Sequence, residues 1–119
     1  MIHTKRIYEP PDPADGLRIL VHRLWPRGLS REAVRVDHWL RAIAPSDELR
    51  RWYRHDAGKW PEFQRRFFEE LDANPDAVAE LRELLAEHPT VTFVFSSRET
   101  ELNNASALKE YIEAREHTP

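Results

Sequence analysis

The sequence predicts an α/β fold, in which one small domain has a central sheet of a few parallel or mixed strands flanked by helices. Apolar runs typical of strands alternate with stretches whose apolar residues recur at helical spacing. The segment between the strand candidates at 17–24 and 91–95 is long and helical, as a crossover between parallel strands requires. A chain of 119 residues fits a single domain over 1–119 and can bury a core.

The first third of the chain contains two predicted strands. Residues 5–8 form a short strand candidate, and residues 9–16 end it because three prolines and a glycine exclude regular structure there. Residues 17–24 are aliphatic, as in strands covered on both faces. Ser30 can cap a short helix that follows it. Residues 36–43 fit either a helix or a strand, and an extended segment is favoured.

The middle of the chain is predicted to be helical. Ser46 is a good cap for a helix with two acids in its first turn, and Gly58 is expected to end that helix. Pro61 suits the first position of a second helix. Asn74 and the proline after it begin a third, which closes at Pro89.

Two polar segments leave predicted strands near the ends of the chain. Residues 91–95 are β-branched and aromatic, as is typical of a central strand, and the polar loop 96–102 follows them. A last helix begins at about Asn104. Residues 25–28 follow the other strand. In parallel sheets ligands gather at the carboxyl ends of strands, so these two loops are expected to converge on one crevice.

The composition excludes several classes of site. The chain has no cysteine, so no disulfide, thiolate metal site or cysteine nucleophile is expected. Its three glycines cannot build a phosphate-binding P-loop or a dinucleotide fingerprint, and its six histidines show no metal-ligand spacing, so neither a cofactor nor a metal is predicted. No apolar run could span a membrane, and residues 1–6 do not resemble a secretory signal, so a cytoplasmic protein is expected.

The net charge of −3 hides an asymmetry between the two halves of the chain. Residues 1–66 carry 14 Lys and Arg against 9 Asp and Glu, whereas residues 67–119 carry 4 against 12. Such an asymmetry can mark a basic binding face. It is equally explained by two halves that neutralise each other within one compact fold.

Guanidinium groups, an indole and hydroxyl groups are gathered on the two polar loops. Arginine binds phosphate or carboxylate in a bidentate manner, and serine and asparagine add hydrogen-bond donors. The leading hypothesis is therefore a crevice that binds an anionic small molecule carrying phosphate or carboxylate. The candidate ligand-binding residues are Arg23, Trp25, Arg27, Ser96, Ser97, Arg98 and Asn104.

A structural role is the alternative for several of these residues. Arg23 could pair internally with Asp15, Asp37 or Asp56 and only tie loops together. Residues 103–104 could simply cap the last helix. The sequence leaves both interpretations open.

Candidates for catalysis are few. His55 is the one weak candidate for an acid–base residue, because the neighbouring Asp56 could orient its ring. Adjacent helical residues point in different directions, however, so His55 could equally lie near a helix end for structural reasons. Ser96 and Ser97 lack the glycines that flank a nucleophile elbow. Whether the protein is an enzyme therefore stays open.

Two further functions compete with anion binding. Residues 31–54 contain six arginines interleaved with aromatic residues and could bind nucleic acid, although the pI of about 6.1 argues against it. Alternatively, the charged halves could dock onto a protein partner or onto a second copy. The oligomeric state is not predicted.

Short motifs occur in one order over nearly the whole length of the chain, at residues 5–8, 15–18, 23–28, 44–46, 49–50, 55–56, Trp60, Phe63, 70–71, Ser96 and 103–105. These motifs resemble those of the YeaO-like family, a domain of unknown function (DUF488). The resemblance implies a small cytoplasmic α/β protein of bacterial or archaeal type, with no established activity. Two positions depart from the family pattern: His22 stands where an acid is usual, and Leu102 where histidine is common.

Overall fold

The computed structural model describes residues 1–54 and 56–116 and has a four-stranded parallel sheet flanked by helices. The order in the sheet is β1-β4-β2-β3, and every neighbouring pair is parallel, which confirms the predicted α/β class. The strands are β1 (Ile2–Arg6), β2 (Leu17–Leu20), β3 (His38–Trp39) and β4 (Val91–Phe95). The helices are α1 (Arg31–Val34), α2 (Asp47–Tyr53), α3 (Trp60–Asp72), α4 (Pro75–Glu87) and α5 (Asn104–Glu116).

The central strand β4 is buried on both faces, as its apolar run predicts. Val91, Phe93 and Phe95 face the main core, where they meet apolar side chains of α2, α3, α4 and α5. The alternate residues face the other side of the sheet. There Val94 belongs to a smaller cluster under α1. Each face of the sheet therefore has its own core.

Two helices, α1 and α2, begin at the serine caps that the sequence predicts, whereas the side chain of Asn74 makes no capping hydrogen bond at the start of α4. The Ser30 hydroxyl accepts a hydrogen bond from the backbone N–H of Ala33 at 3.1 Å, and Ser46 caps α2 through the N–H of Leu49 at 3.1 Å. Ser46 is itself held by the Glu70 carboxylate, to which its backbone N–H donates at 2.8 Å. The contact between Ser46 and Glu70 therefore links the start of α2 to α3.

The helix α2 ends at Tyr53, five residues before Gly58, where the sequence places its end. Arg54 adopts a left-handed conformation with φ 47°, and its N–H closes the last turn onto the carbonyl of Arg50. A separate 3₁₀ turn, Ala57–Lys59, then contains the glycine. The left-handed residue here is an arginine, which sequence rules for helix ends do not favour.

Strand lengths also differ from the sequence prediction, because each strand extends only as far as its partner. β1 begins at Ile2 rather than at residue 5, since β4 pairs with Ile2 to Arg6 in register. β2 ends at Leu20 rather than at residue 24, where its residue pairs with both β3 and β4 end. Residues 36–43 contain β3 and a 3₁₀ turn, Arg41–Ile43. Beyond Leu20 the chain leaves the sheet and forms a loop.

A buried polar network joins three strands on the face under α1. The guanidinium of Arg18, only 3% exposed, donates to the carboxylate of Asp15 at 2.6 Å and to the carbonyl of Val34 at 3.1 Å. Lys5 of β1 reaches the same carboxylate at 3.2 Å. The Thr92 hydroxyl of β4 donates to the Asp15 carbonyl at 2.7 Å. Asp15 therefore fixes the loop before β2 to the sheet.

Asp15→Asn tests the energetic weight of this network. We expect the free energy of unfolding at neutral pH to fall by about 3–5 kcal/mol, because Arg18 would keep its buried charge without a compensating carboxylate. Urea titration measures the change. The control is Asp47→Asn, which breaks the half-exposed pair with Arg50 and is expected to change it by less than about 1 kcal/mol. Equal losses of unfolding free energy in the two variants would contradict the stabilising role of the buried Asp15–Arg18 pair.

The same carboxyl should also make stability depend on acid pH. Burial alone would raise the pKa of Asp15, but hydrogen bonds from the Asp12 backbone and from Lys5 and Arg18 outweigh it, so the pKa lies below its ordinary value of 3.8. The stabilisation is complete above that ordinary value and is lost as the pH falls through the lowered pKa. Asp15→Asn should remove this part of the acid dependence in unfolding curves taken between pH 7 and pH 2. An unchanged dependence would rule out this role.

A comparison of two glycines tests a close backbone approach at the start of β2. Gly16 has φ 64°, and an added Cβ would lie 2.1 Å from the carbonyl oxygen of Thr90. Gly28 has φ 77° but open space around it. We expect Gly28→Ala to cost about 1–3 kcal/mol from backbone strain alone. Gly16→Ala should cost more, because the Thr90 backbone must also move. Thermal unfolding of both variants measures the difference, and equal losses would contradict it.

Candidate functional site

A cleft of about 730 Å³ lies at the carboxyl edge of the sheet, where β1, β2 and β4 end. After β2 the chain continues towards β3 on one side, whereas α5, which follows β4, packs against β1 and β4 on the other. Chain segments that diverge from neighbouring parallel strands leave a crevice between them, the usual place for a ligand in such sheets. The volume is that of clefts that hold whole small molecules.

The structure brings together most of the ligand-binding residues that the sequence predicts. Arg98 is the exception, because it is exposed in the loop after β4 and does not line the cleft. Trp25 is half-buried, and its indole N–H donates to the Leu29 carbonyl at 2.6 Å, so the ring is held in place. The predicted residues that line the cleft are Arg23, Trp25, Arg27, Ser96, Ser97 and Asn104.

Arg23 is tied to the wall of the cleft through backbone carbonyls. Its guanidinium donates to the carbonyl of Pro45 at 2.8 Å and to that of Ala44 at 3.3 Å. These bonds use two of its five N–H groups, and the side chain is exposed. Arg23 is therefore both a structural residue and a positioned cation.

The alternative in which Arg23 pairs with an aspartate is wrong. Asp15 pairs with Arg18, and Asp37 accepts the backbone N–H of Arg18 at 2.8 Å. Asp56 accepts the backbone N–H of Gly58 at 2.9 Å. All three carboxylates bind groups close to them in the fold. Arg23 instead binds the backbone carbonyls of Ala44 and Pro45.

Three further arginines at the end of α2, Arg50, Arg51 and Arg54, line the cleft, although the sequence did not predict them there. Arg54 follows Arg50 by four residues and Arg51 by three, the spacing of neighbours on a helix surface, and this was the available signal. Arg50 is bound by Asp47 at 3.2 Å, and the Nε of Arg54 donates to the Arg51 carbonyl at 3.1 Å. Within residues 1–54 and 56–116, Arg27 and Arg51 form no ion pair.

The cleft is therefore strongly cationic in a protein whose net charge is negative. None of its described lining residues is aspartate or glutamate. A cleft lined by charges of one sign has a positive potential, which favours the binding of an anion. The cationic lining residues are Arg23, Arg27, Arg50, Arg51 and Arg54.

Aromatic side chains form the buried part of the cleft. The ring of Tyr53 stacks on Phe63 with centroids 4.3 Å apart, and its hydroxyl donates to the Leu102 carbonyl at 2.9 Å. Burial raises the pKa of Tyr53, and the carboxylates of Glu99 and Asp56 raise it further. The hydroxyl consequently keeps its proton at neutral pH and remains a donor.

His22, which stands where an acid is usual in the family, links the ends of β2 and β4. Its Nε2 accepts the backbone N–H of Ser96 at 3.0 Å, while the Ser96 hydroxyl lies 3.4 Å away. The ring nitrogen that could activate the hydroxyl is already bonded to the backbone. A second link is the amide of Asn104, which donates to the Val21 carbonyl at 2.6 Å. This arrangement supports positioning rather than nucleophilic catalysis.

The two asparagines at the start of α5 have different roles. Asn103 caps the helix, because its side-chain oxygen accepts the N–H of Ser106 at 3.0 Å. Its amide donates to the Glu99 carbonyl at 2.9 Å. Capping is thus correct for Asn103, whereas Asn104 uses its amide to join α5 to the end of β2.

The basic residues of the 31–54 segment divide between two places. The guanidinium groups of Arg31 and Arg41 lie over the ring of Trp39, at 5.6 and 3.8 Å from its centroid. Neither Trp39 nor Trp52 lines the cleft. The arginines at 50, 51 and 54 line the cleft together with Tyr53, whereas Arg31 and Arg41 lie with Trp39 outside it, so the segment does not form one continuous basic and aromatic face.

The remaining sequence predictions concern the acid–base candidate, a metal site and membrane-spanning helices. His55, the weak acid–base candidate, lies outside the described residues. Within 1–54 and 56–116, no three His, Asp or Glu side chains come close enough together to hold a metal ion. In that same part, no helix is both long and apolar enough to cross a membrane.

Known relatives cover almost all of the chain. A family model described as the inactive DUF488-N3 subclade matches residues 1–118. An uncharacterised protein of Mycobacterium tuberculosis (strain ATCC 25618 / H37Rv) is 40% identical over 114 residues, covering 96% of this chain and 95% of the relative. The uncharacterised protein YeaO of Escherichia coli (strain K12) is 32% identical over 111 residues, covering 93% and 96%. No solved structure matches. The chain therefore belongs to the DUF488 family, in the subclade described as inactive.

Proposed function

We propose that this protein binds an anionic small molecule, carrying phosphate or carboxylate, in the cleft at the carboxyl edge of the sheet. One observation carries the proposal: five arginines line the cleft, and its described lining includes no carboxylate. Arginine holds such groups through paired, charge-assisted hydrogen bonds. Arg27 and Arg51, which are exposed and form no ion pair within the described residues, supply the charge for the ligand.

Binding without turnover is the form of this function that the site supports. The Nε2 of His22 accepts the backbone N–H of Ser96 at 3.0 Å, closer than the Ser96 hydroxyl at 3.4 Å, which supports a structural role for this pair rather than that of base and nucleophile. The description of the subclade as inactive supports the same interpretation. In this proposal the arginines and the half-buried Trp25 contact the anionic ligand. Trp25 lies on the loop that follows β2, and the loop that follows β4 adds Ser96 and Ser97 to the cleft.

The proposal predicts that anions stabilise the native protein. We expect inorganic pyrophosphate and citrate, tested separately at constant ionic strength, to raise the melting temperature in a concentration-dependent manner, because a ligand that binds only the folded state stabilises it. Arg27→Ala and Arg51→Ala should each weaken binding about tenfold, the loss expected for one charge-assisted contact. Isothermal titration calorimetry measures the affinities.

The matched control is Arg65→Ala, which removes one exposed arginine of α3 outside the cleft. It should leave the affinity unchanged at the same ionic strength. If this variant weakens binding as much as Arg27→Ala, the effect is one of overall charge and the proposed site is wrong. If neither anion stabilises the wild-type protein, the proposed function is wrong.

A further inference from the structure

Exposed apolar side chains occur at the arginine-lined cleft. Among the described residues, the large hydrophobic side chains that are exposed are Met1, Tyr8 and Leu24, and the last two line the cleft. Tyr8 is 47% exposed and Leu24 is 67% exposed. A single exposed leucine needs no explanation. Two such groups beside a cationic cleft indicate a binding surface with an apolar part.

The Tyr8 ring lies just after the end of β1, against the side chain of Arg6. The guanidinium of Arg6 is 5.1 Å from the ring centroid, and the Nε of Arg6 donates to the carbonyl of Ser97 at 2.9 Å. The backbone N–H of Ile7 donates to the carbonyl of Phe95 at 2.7 Å. The backbone next to the ring is thus joined to the end of β4, and Arg6 supports the ring, so a ligand that packs against it loses less conformational entropy on binding.

The exposed side chains of Tyr8 and Leu24 distinguish between classes of anionic ligand, which the arginines alone cannot do. An inorganic phosphate or a short dicarboxylate would use the guanidinium groups but leave Tyr8 and Leu24 in water, and it would fill little of a 730 Å³ cleft. A phosphate ester with a flat aromatic ring would use both parts, since rings stack on tyrosine while the phosphate binds arginine.

On this basis, and resting on the proposed function, we propose that the cleft binds a nucleoside phosphate. Its base packs against Tyr8 and Leu24, and its phosphate lies among the arginines, with Arg27 and Arg51 as direct ligands. Stacking on an aromatic side chain is tolerant of base identity, because every base has a flat face. The site therefore recognises the class of ligand more strongly than one particular base.

The test compares adenosine 5′-monophosphate with ribose 5-phosphate by isothermal titration calorimetry on the full chain. The two probes share the phosphorylated sugar and differ in the base. We expect the nucleotide to bind about 5- to 150-fold more tightly, the range that corresponds to stacking of one base. Tyr8→Ala should abolish most of this advantage without weakening ribose 5-phosphate, and Leu24→Ala should reduce it. Both side chains are exposed, so neither change removes core packing.

Two controls separate stacking from other effects. Tyr8→Phe retains the ring and should retain the preference for the nucleotide. Arg27→Ala should weaken both probes by a similar factor. If the two probes bind equally, or if Tyr8→Ala weakens both alike, the nucleoside proposal is wrong while anion binding stands. If neither probe binds and pyrophosphate and citrate also fail to bind, both proposals are wrong.

Discussion

The parallel pairing of β4 with both β1 and β2 is the constraint on which the rest of the structure depends. Since the three strands run in the same direction, their carboxyl ends meet at one edge, and every loop that leaves them begins there. At the amino-terminal edge, the backbone N–H of Leu17 donates to the Thr90 carbonyl at 3.0 Å. The carboxyl edge carries the arginine-lined cleft.

Arginines have two opposite roles in this fold. Arg18 is buried, and the Asp15 carboxylate compensates its charge, so it stabilises the sheet. Arg27 and Arg51 are exposed at the cleft, where the described lining includes no carboxylate. A charge that has no compensating partner contributes little to folding, but it is available to a ligand. The presence of a nearby carboxylate thus distinguishes Arg18, which stabilises the fold, from Arg27 and Arg51, which are proposed to bind the ligand.

The groups that resemble catalytic residues serve the architecture of the cleft. His22 accepts a backbone N–H from the loop after β4, and Asn104 donates to the carbonyl of Val21 just after β2. Both bonds hold the ends of neighbouring strands at a fixed separation. A rigid cleft loses less conformational entropy when a ligand binds, which favours recognition. These polar groups therefore have a structural role at the cleft, in addition to any contact with the proposed ligand.

Local chemistry was sufficient to predict much of this protein from its sequence. The caps at Ser30 and Ser46 and the buried strand Val91–Phe95 depend on close neighbours in the chain, so their residue types identify them. Only the tertiary structure showed that α2 ends at a left-handed Arg54 and that its arginines face the cleft. The tertiary structure also decided that the Asp15 carboxylate binds Arg18 and Lys5. These features depend on strand register and on packing between distant segments, which no local pattern specifies.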